Sequence, residues 1–241
     1  MASSIRMLSV NVIKRFMLAA TLLTMLCLSI PADGQKVWEK KPSQQWSNFE
    51  ITKILIDSPW GKIEKDYDSS YPVNIRLLSA LPIRQALVRQ KQLRLNYDKL
   101  TTAEKAKFDS EVKDFLECPG CVKYYILTYR IVSNDLKVRL ALKDLSLDEL
   151  KPYVFLINDK GERRNLVHFI PPERRNEKAL FFENAVFFFE RVDEQGKPLL
   201  SIANKKFYFQ VDEQSPKLKS LPVKKFTFGV PKLIQNGEII F

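Results

Sequence analysis

The sequence predicts an α+β fold: N-terminal helices, including an amphipathic helix and a helical hairpin, then a C-terminal, mainly antiparallel, β-sandwich-like part. Three observations carry this. Apolar residues recur at helical spacing between Ser47 and Glu117, with two capping-box signatures in that stretch. From Tyr124 onward the period changes to two, in runs rich in aromatic and branched residues. Those runs are short and separated by turn residues, as in antiparallel all-β parts. The expected organisation is a signal peptide over 1–34, a polar leader over 35–45, a helical part over 46–121 and a β-rich part over 122–241, the last two packed as one globular unit.

The first element is a short amphipathic helix. Ser47 is its N-cap, Glu50 stands three residues later, Phe49, Ile51, Ile54 and Leu55 recur at helical spacing, and Ser58-Pro59 ends it before Trp60. Alternation of Val73, Ile75 and Leu77 predicts a strand within Pro72 to Ser79. Pro82 opens a second helix to about Lys99, which is apolar on two sides, so Arg84, which lies with Lys91 between those sectors, is expected to be partly buried and paired. Thr101 with Glu104 caps a third helix through Phe108, Val112, Phe115 and Leu116, antiparallel to the second. Strands are then expected at Tyr124 to Ser133, Leu136 to Leu142, Val154 to Asn158 and Asn165 to Ile170, the last two forming a hairpin. Leu145 to Leu150 reads as a helical turn at most. Leu180 to Val192 is apolar on both faces, and further strands are expected at Leu199 to Ile202, Phe207 to Val211 and Lys225 to Val230, with Ile239 to Phe241 closing through an Asn236-Gly237 turn.

The N-terminus points to export. Arg6, Lys14 and Arg15 precede a 14-residue apolar run, Met17 to Ile30, which Pro31 breaks before the small residues Ala32 and Gly34. A spanning helix needs about 18 to 20 apolar residues, so a secretory signal peptide fits better than an anchor, with cleavage after Gly34 or, second, after Ala32. Removing residues 1–34 takes Arg6, Lys14, Arg15 and Asp33 from a net charge of +11 and leaves +9 on 207 residues. No transmembrane segment is then expected. Outside the inner membrane the polyanions within reach are anionic lipid, polysaccharide and acidic envelope proteins, and nucleic acid is not an expected partner. Basic residues concentrate in Arg76 to Lys99 and in Lys205 to Lys232. Arg84, Arg89, Lys205, Lys206, Lys224 and Lys225 are the candidate anion-binding residues.

Catalytic vocabulary is sparse. His168 is the one histidine, on an apolar strand, which makes it a core or sheet-face residue. No phosphate loop, dinucleotide fingerprint, H-E-x-x-H helix or nucleophile elbow occurs, so no catalytic residue, metal or cofactor is assigned. The compact motif is Cys118-Pro119-Gly120-Cys121. In an oxidising compartment a structural disulfide is its default reading, and a four-residue type II turn spans under about 7 Å, which overlaps the roughly 4.4 to 6.8 Å a disulfide needs. A redox or zinc role is the lesser alternative. The pair follows a helix instead of opening one, so the local field opposes a thiolate, and four zinc ligands are lacking.

The strings Trp46 with Asp57-Ser58-Pro59-Trp60-Gly61-Lys62, Arg76-Leu77-Leu78-Ser79-Ala80-Leu81-Pro82-Ile83-Arg84-Gln85-Ala86, and Cys118-Pro119-Gly120-Cys121 resemble a family of uncharacterised exported proteins from acidobacteria. The likeness extends through Leu180-Phe181-Phe182 and Gly196-Lys197-Pro198. The resemblance implies bacterial export and supplies no activity and no site residues. Two function classes follow: a noncatalytic periplasmic or cell-surface binding or structural module with weak affinity for anionic envelope components, and a secreted carboxylate-dependent hydrolase. The second would use a pair of acids such as Glu183 and Glu190, about 5 to 10 Å apart in a cleft.

Overall fold

The structure, a computed structural model, describes residues 37–173 and 184–241. The expected signal peptide, Leu180 to Phe182 and Glu183 lie outside the described residues. Val37–Lys40 forms one helical turn in a unit of its own, and all that follows concerns residues 41–241.

Three helices lie in the N-terminal half, with the first two strands falling between the first helix and the second. Helix α1 spans Asn48–Ile56, and its capping box is complete, with the Ser47 side chain accepting from the Glu50 N–H and the Glu50 carboxylate accepting from the Ser47 N–H. Helix α2 spans Leu81–Arg94, and α3 spans Thr102–Glu117 behind a second complete box at Thr101 and Glu104. Each box satisfies two helix N–H groups that would otherwise lack a partner. Helix α2 does bury two sides. Ile83, Ala86 and Leu87 face the core, while Val88 packs with Phe108 and Val112 of α3.

Eight strands form one antiparallel sheet: β1 Gly61–Glu64, β2 Val73–Leu77, β3 Tyr124–Ile131, β4 Val154–Asn158, β5 Arg163–Ile170, β6 Ala185–Glu190, β7 Lys206–Val211 and β8 Lys225–Gly229. Their order is β1-β2-β3-β6-β5-β4-β7-β8, and the sheet curls nearly into a barrel. The fold is therefore mixed helix and sheet with the helices N-terminal. The expected sandwich is not confirmed, because all eight strands belong to one hydrogen-bonded series. A two-stranded hairpin, β9 Ile234–Gln235 and β10 Glu238–Ile239, turns at Asn236 and Gly237, both at positive φ, as that dipeptide predicts.

Alternation fills the interior with rings. Tyr125, Leu127 and Tyr129 of β3 stand opposite Phe189, Phe187 and Ala185 of β6, and all six are buried. Phe207 of β7 stacks on Phe228 of β8 with centroids 4.9 Å apart. The Tyr129 hydroxyl, deep in this apolar interior, donates to the Val223 carbonyl at 3.0 Å, which satisfies the polar end of a ring that burial would otherwise penalise.

Three local expectations are corrected. Leu136 to Leu142 is not a strand: Leu136–Arg139 forms a short helix, α4, because the Asp135 carboxylate accepts the Lys137 N–H and Arg139 donates to the Ser133 and Asn134 carbonyls, closing the segment on itself. Leu199 to Ile202 is a turn in which the Asn204 side chain accepts the Ser201 N–H. Cys118 to Cys121 is not a type II turn. Cys118 takes the left-handed conformation (φ 49°) as the C-cap of α3, which reverses the chain early, so Pro119–Val122 continues as a 3-10 turn with Gly120 outside the positive-φ region.

Candidate functional site

The string from Asp57 to Lys62 is a corner that carries the chain from α1 into β1. The Ser58 hydroxyl donates to the Ile54 carbonyl at 2.6 Å and accepts from the Trp60 and Gly61 N–H groups. Gly61 passes so close to the end of α1 that a Cβ there would lie 2.7 Å from the Leu55 carbonyl oxygen, so only glycine fits. Asn74 and Arg76 of β2 donate to that same Leu55 carbonyl, placing donors at the negative end of the helix. Burial, with the nearby charge of Arg130, brings the Arg76 guanidinium down to about 10.

This corner aims Lys62 across the opening of the sheet. The two edge strands, β1 and β8, approach there, and the Lys62 ammonium donates to the Thr227 carbonyl at 2.5 Å, 165 residues away. Beside it is a cleft of about 550 Å³, where Lys62, Lys205, Lys206 and Lys232 meet Asp57 and Glu64. Burial raises the Glu64 carboxyl above its ordinary value, with Lys62 opposing and Asp66 adding to the shift. At the far end of β8, Lys219, Lys224 and Lys225 line a second cleft of about 530 Å³ with Asp66, Asp68 and Glu213. Lys225 also lies over the Tyr208 ring, 4.5 Å from its centroid. Six of the seven lysines of Lys205 to Lys232 are thus divided between two places of different charge, and Lys217 pairs with Glu149.

Neither expected arginine joins these clefts. Arg89 donates to the Trp46 carbonyl at 3.4 Å and to Gln92 at 3.3 Å. It lines a cavity of about 450 Å³ along α2 and α3, where Lys113 is the other cation and Asp98, Asp109 and Glu117 are the acids. Arg84 is only 6% exposed, so no external anion reaches it. Its guanidinium donates to the carbonyls of Leu116, Leu78 and Ser79, and to the Cys121 sulfur at 3.3 Å. Burial, with the neighbouring Arg191 charge, brings it down to about 10.

Cys118 and Cys121 are disulfide-bonded, with Cα atoms 5.3 Å apart. They sit unequally: Cys118 is partly exposed at the end of α3, and Cys121 is 7% exposed against Arg84. Two stretches far apart in the chain, Arg76 to Ala86 and Cys118 to Cys121, therefore meet at one guanidinium.

His168 is on the outer sheet face, exposed, with its Nε2 3.3 Å from the Tyr124 hydroxyl. Glu190 is half-buried at the end of β6, paired in register with Tyr124. Sequence reasoning missed Lys62 and Lys232. Lys232 stood within the basic segment, whereas the signal for Lys62 was only its place in the Trp60-Gly61-Lys62 string, and nothing in its spacing connects it to β8.

No protein-family model matches the chain, and no curated protein matches it. Among solved structures it is similar to a novel protein of unknown function from Burkholderia pseudomallei K96243, with a TM-score of 0.39 and 14% identity over 68% of this chain and 76% of that one.

Proposed function

We propose that this chain is an exported, noncatalytic binding module of the bacterial envelope, akin to the acidobacterial proteins it resembles, and that it holds anionic envelope components weakly at the cleft beside Lys62. The observation that carries this reading is the convergence of Lys62, Lys205, Lys206 and Lys232, from three separate segments, on one opening with two carboxylates. Export is supported by the basic residues before the apolar run Met17 to Ile30. In the periplasm or at the cell surface the anion would be a phosphate-bearing lipid head group or polymer. No described helix is long and apolar enough to cross a membrane.

The affinity is expected to be low and sensitive to salt, because exposed charges are screened over about 8 Å at physiological ionic strength. Sedimentation with anionic and with neutral lipid vesicles, and with anionic cell-wall polymer, across a salt series tests it. Selective binding that fades as salt rises supports the reading. Equal binding to anionic and neutral vesicles, or none to any anion at low salt, leaves the positive charge as a solubility feature.

A further inference from the structure

The two sulfurs of the Cys118–Cys121 bond differ in access and in electrostatics, and both differences point the same way. Cys118 is partly exposed beside the exposed Pro119 and Gly120, whereas Cys121 is buried. Cys118 also caps the C-terminus of α3, where the carbonyl ends of the helix disfavour a negative sulfur. At Cys121 the field is reversed. The Arg84 guanidinium lies 3.3 Å from its Sγ, and the other partners of that guanidinium among the described residues are neutral backbone carbonyls. A buried cation whose hydrogen-bond partners are all neutral is costly, and it would gain a full counter-ion if Cys121 became a thiolate.

We propose that Cys118–Cys121 is an exchangeable disulfide in which Cys118 is the sulfur attacked and Cys121 the sulfur released, as a thiolate held by Arg84. The co-reactant is a thiol, either a small molecule or a protein dithiol. Its thiolate attacks Cys118 Sγ, the Cys118–Cys121 bond breaks, and the electron pair leaves on Cys121. A second external thiolate then attacks the external sulfur of the mixed disulfide and releases Cys118, which takes up a proton. Two external thiols are oxidised to a disulfide, the protein's disulfide is reduced to one thiol and one thiolate, and one proton passes to solvent. Thiol–disulfide exchange is faster when the leaving sulfur has the lower pKa, so Arg84 sets both direction and rate. This inference is independent of anion binding at the Lys62 cleft.

The test is native-state reduction of the oxidised full chain by glutathione at pH 7, with acid quenching and peptide mapping of the mixed disulfide. Glutathione is expected on Cys118, Arg84→Met is expected to slow reduction about tenfold, and Arg84→Lys, which keeps the charge, should stay closer to the parent. Glutathione trapped on Cys121, or an Arg84→Met protein reduced at the parental rate, overturns the proposal. Should Arg84→Met fail to fold, Cys118→Ser in an otherwise unchanged chain decides. Its Cys121 is expected to show thiolate absorbance at 240 nm at pH 7 that vanishes on unfolding at that pH, since a free cysteine has a pKa near 8.5. Absence of that absorbance in the folded protein overturns the proposal equally.

Discussion

The two ends of strand β8 are built from the same residue type and carry different fields. At one end Lys205, Lys206 and Lys232 are joined by Lys62 from β1 and face Asp57 and Glu64. At the other, Lys219, Lys224 and Lys225 face Asp66, Asp68 and Glu213 from either side. Seven lysines between Lys205 and Lys232 look like one basic patch in the sequence, but the acids that decide the local potential arrive from elsewhere: Asp57 and Glu64 from the end of α1 and from β1, Asp66, Asp68 and Glu213 from the loops after β1 and after β7. A count of charge along the chain is a poor guide to the charge a ligand meets, because a salt-screened field is a property of the roughly 8 Å around a point.

The largest expected effect comes from reversing charge at the two ends separately. A basic side chain near an anionic surface contributes about 1 kcal/mol, or roughly fivefold in affinity. K205E with K206E should therefore weaken sedimentation with anionic vesicles by tenfold or more, while K224E with K225E should change it by about twofold or less, the acids there already neutralising that end. Equal losses from the two double variants would erase the distinction between the clefts.

A second variant moves the cleft without touching its charges. Gly61→Ala forces a Cβ against the Leu55 carbonyl and must displace the start of β1, so it should cost about 1 to 3 kcal/mol in urea unfolding and weaken vesicle binding by misplacing Lys62. Unchanged binding would show that Lys62 is dispensable to the cleft. Removing the disulfide serves as the contrast. Cys118→Ser with Cys121→Ser should cost only about 1 to 2 kcal/mol, since a four-residue loop restricts the unfolded chain little, and should leave vesicle binding as it was.

The smallest effect sharpens the comparison through pH. Glu64 protonates above the ordinary 4.5 of its side chain, so lowering pH towards that range removes a negative charge from the Lys62 cleft first. Binding should tighten by up to about fivefold there, and Glu64→Gln should bring much of that gain to neutral pH. The stability sign agrees. The folded state holds this proton more tightly than the unfolded chain, so the Glu64 contribution grows as pH falls and is withdrawn as pH rises through the folded value. A Glu64→Gln protein whose binding matches the parent at pH 7 would contradict the assignment.

What sequence reading recovered is what neighbours along the chain decide. The capping boxes at Ser47 and Thr101 need only a residue and its third successor, and the alternation at Tyr125, Leu127 and Tyr129 needs only a period. Leu136 to Leu142 has the same alternation and failed, because Asp135 accepts the Lys137 N–H and the Arg139 side chain donates back to the Ser133 carbonyl, nearer partners than any strand. The candidate site was less legible. Lys62 meets β8 across 165 residues and Arg84 meets Cys121 across 37, and no local pattern encodes either meeting. Arg84 was expected to be partly buried from the two apolar sides of its helix, but its partners proved to be carbonyls and a sulfur.

Lys62 has one more consequence, for how these molecules behave towards one another. A sheet that stops short of closing leaves two edge strands whose free N–H and C=O groups could pair with another chain. Here the opening between β1 and β8 is occupied by a charged side chain, whose ammonium takes up the Thr227 carbonyl and lies over the Phe228 ring, 5.7 Å from its centroid. A strand from a second molecule docking at β8 would have to displace that ammonium and bury it without its hydrogen bond. The same lysine that supplies charge to the cleft thus occupies a hydrogen-bonding position that a strand from another molecule would need.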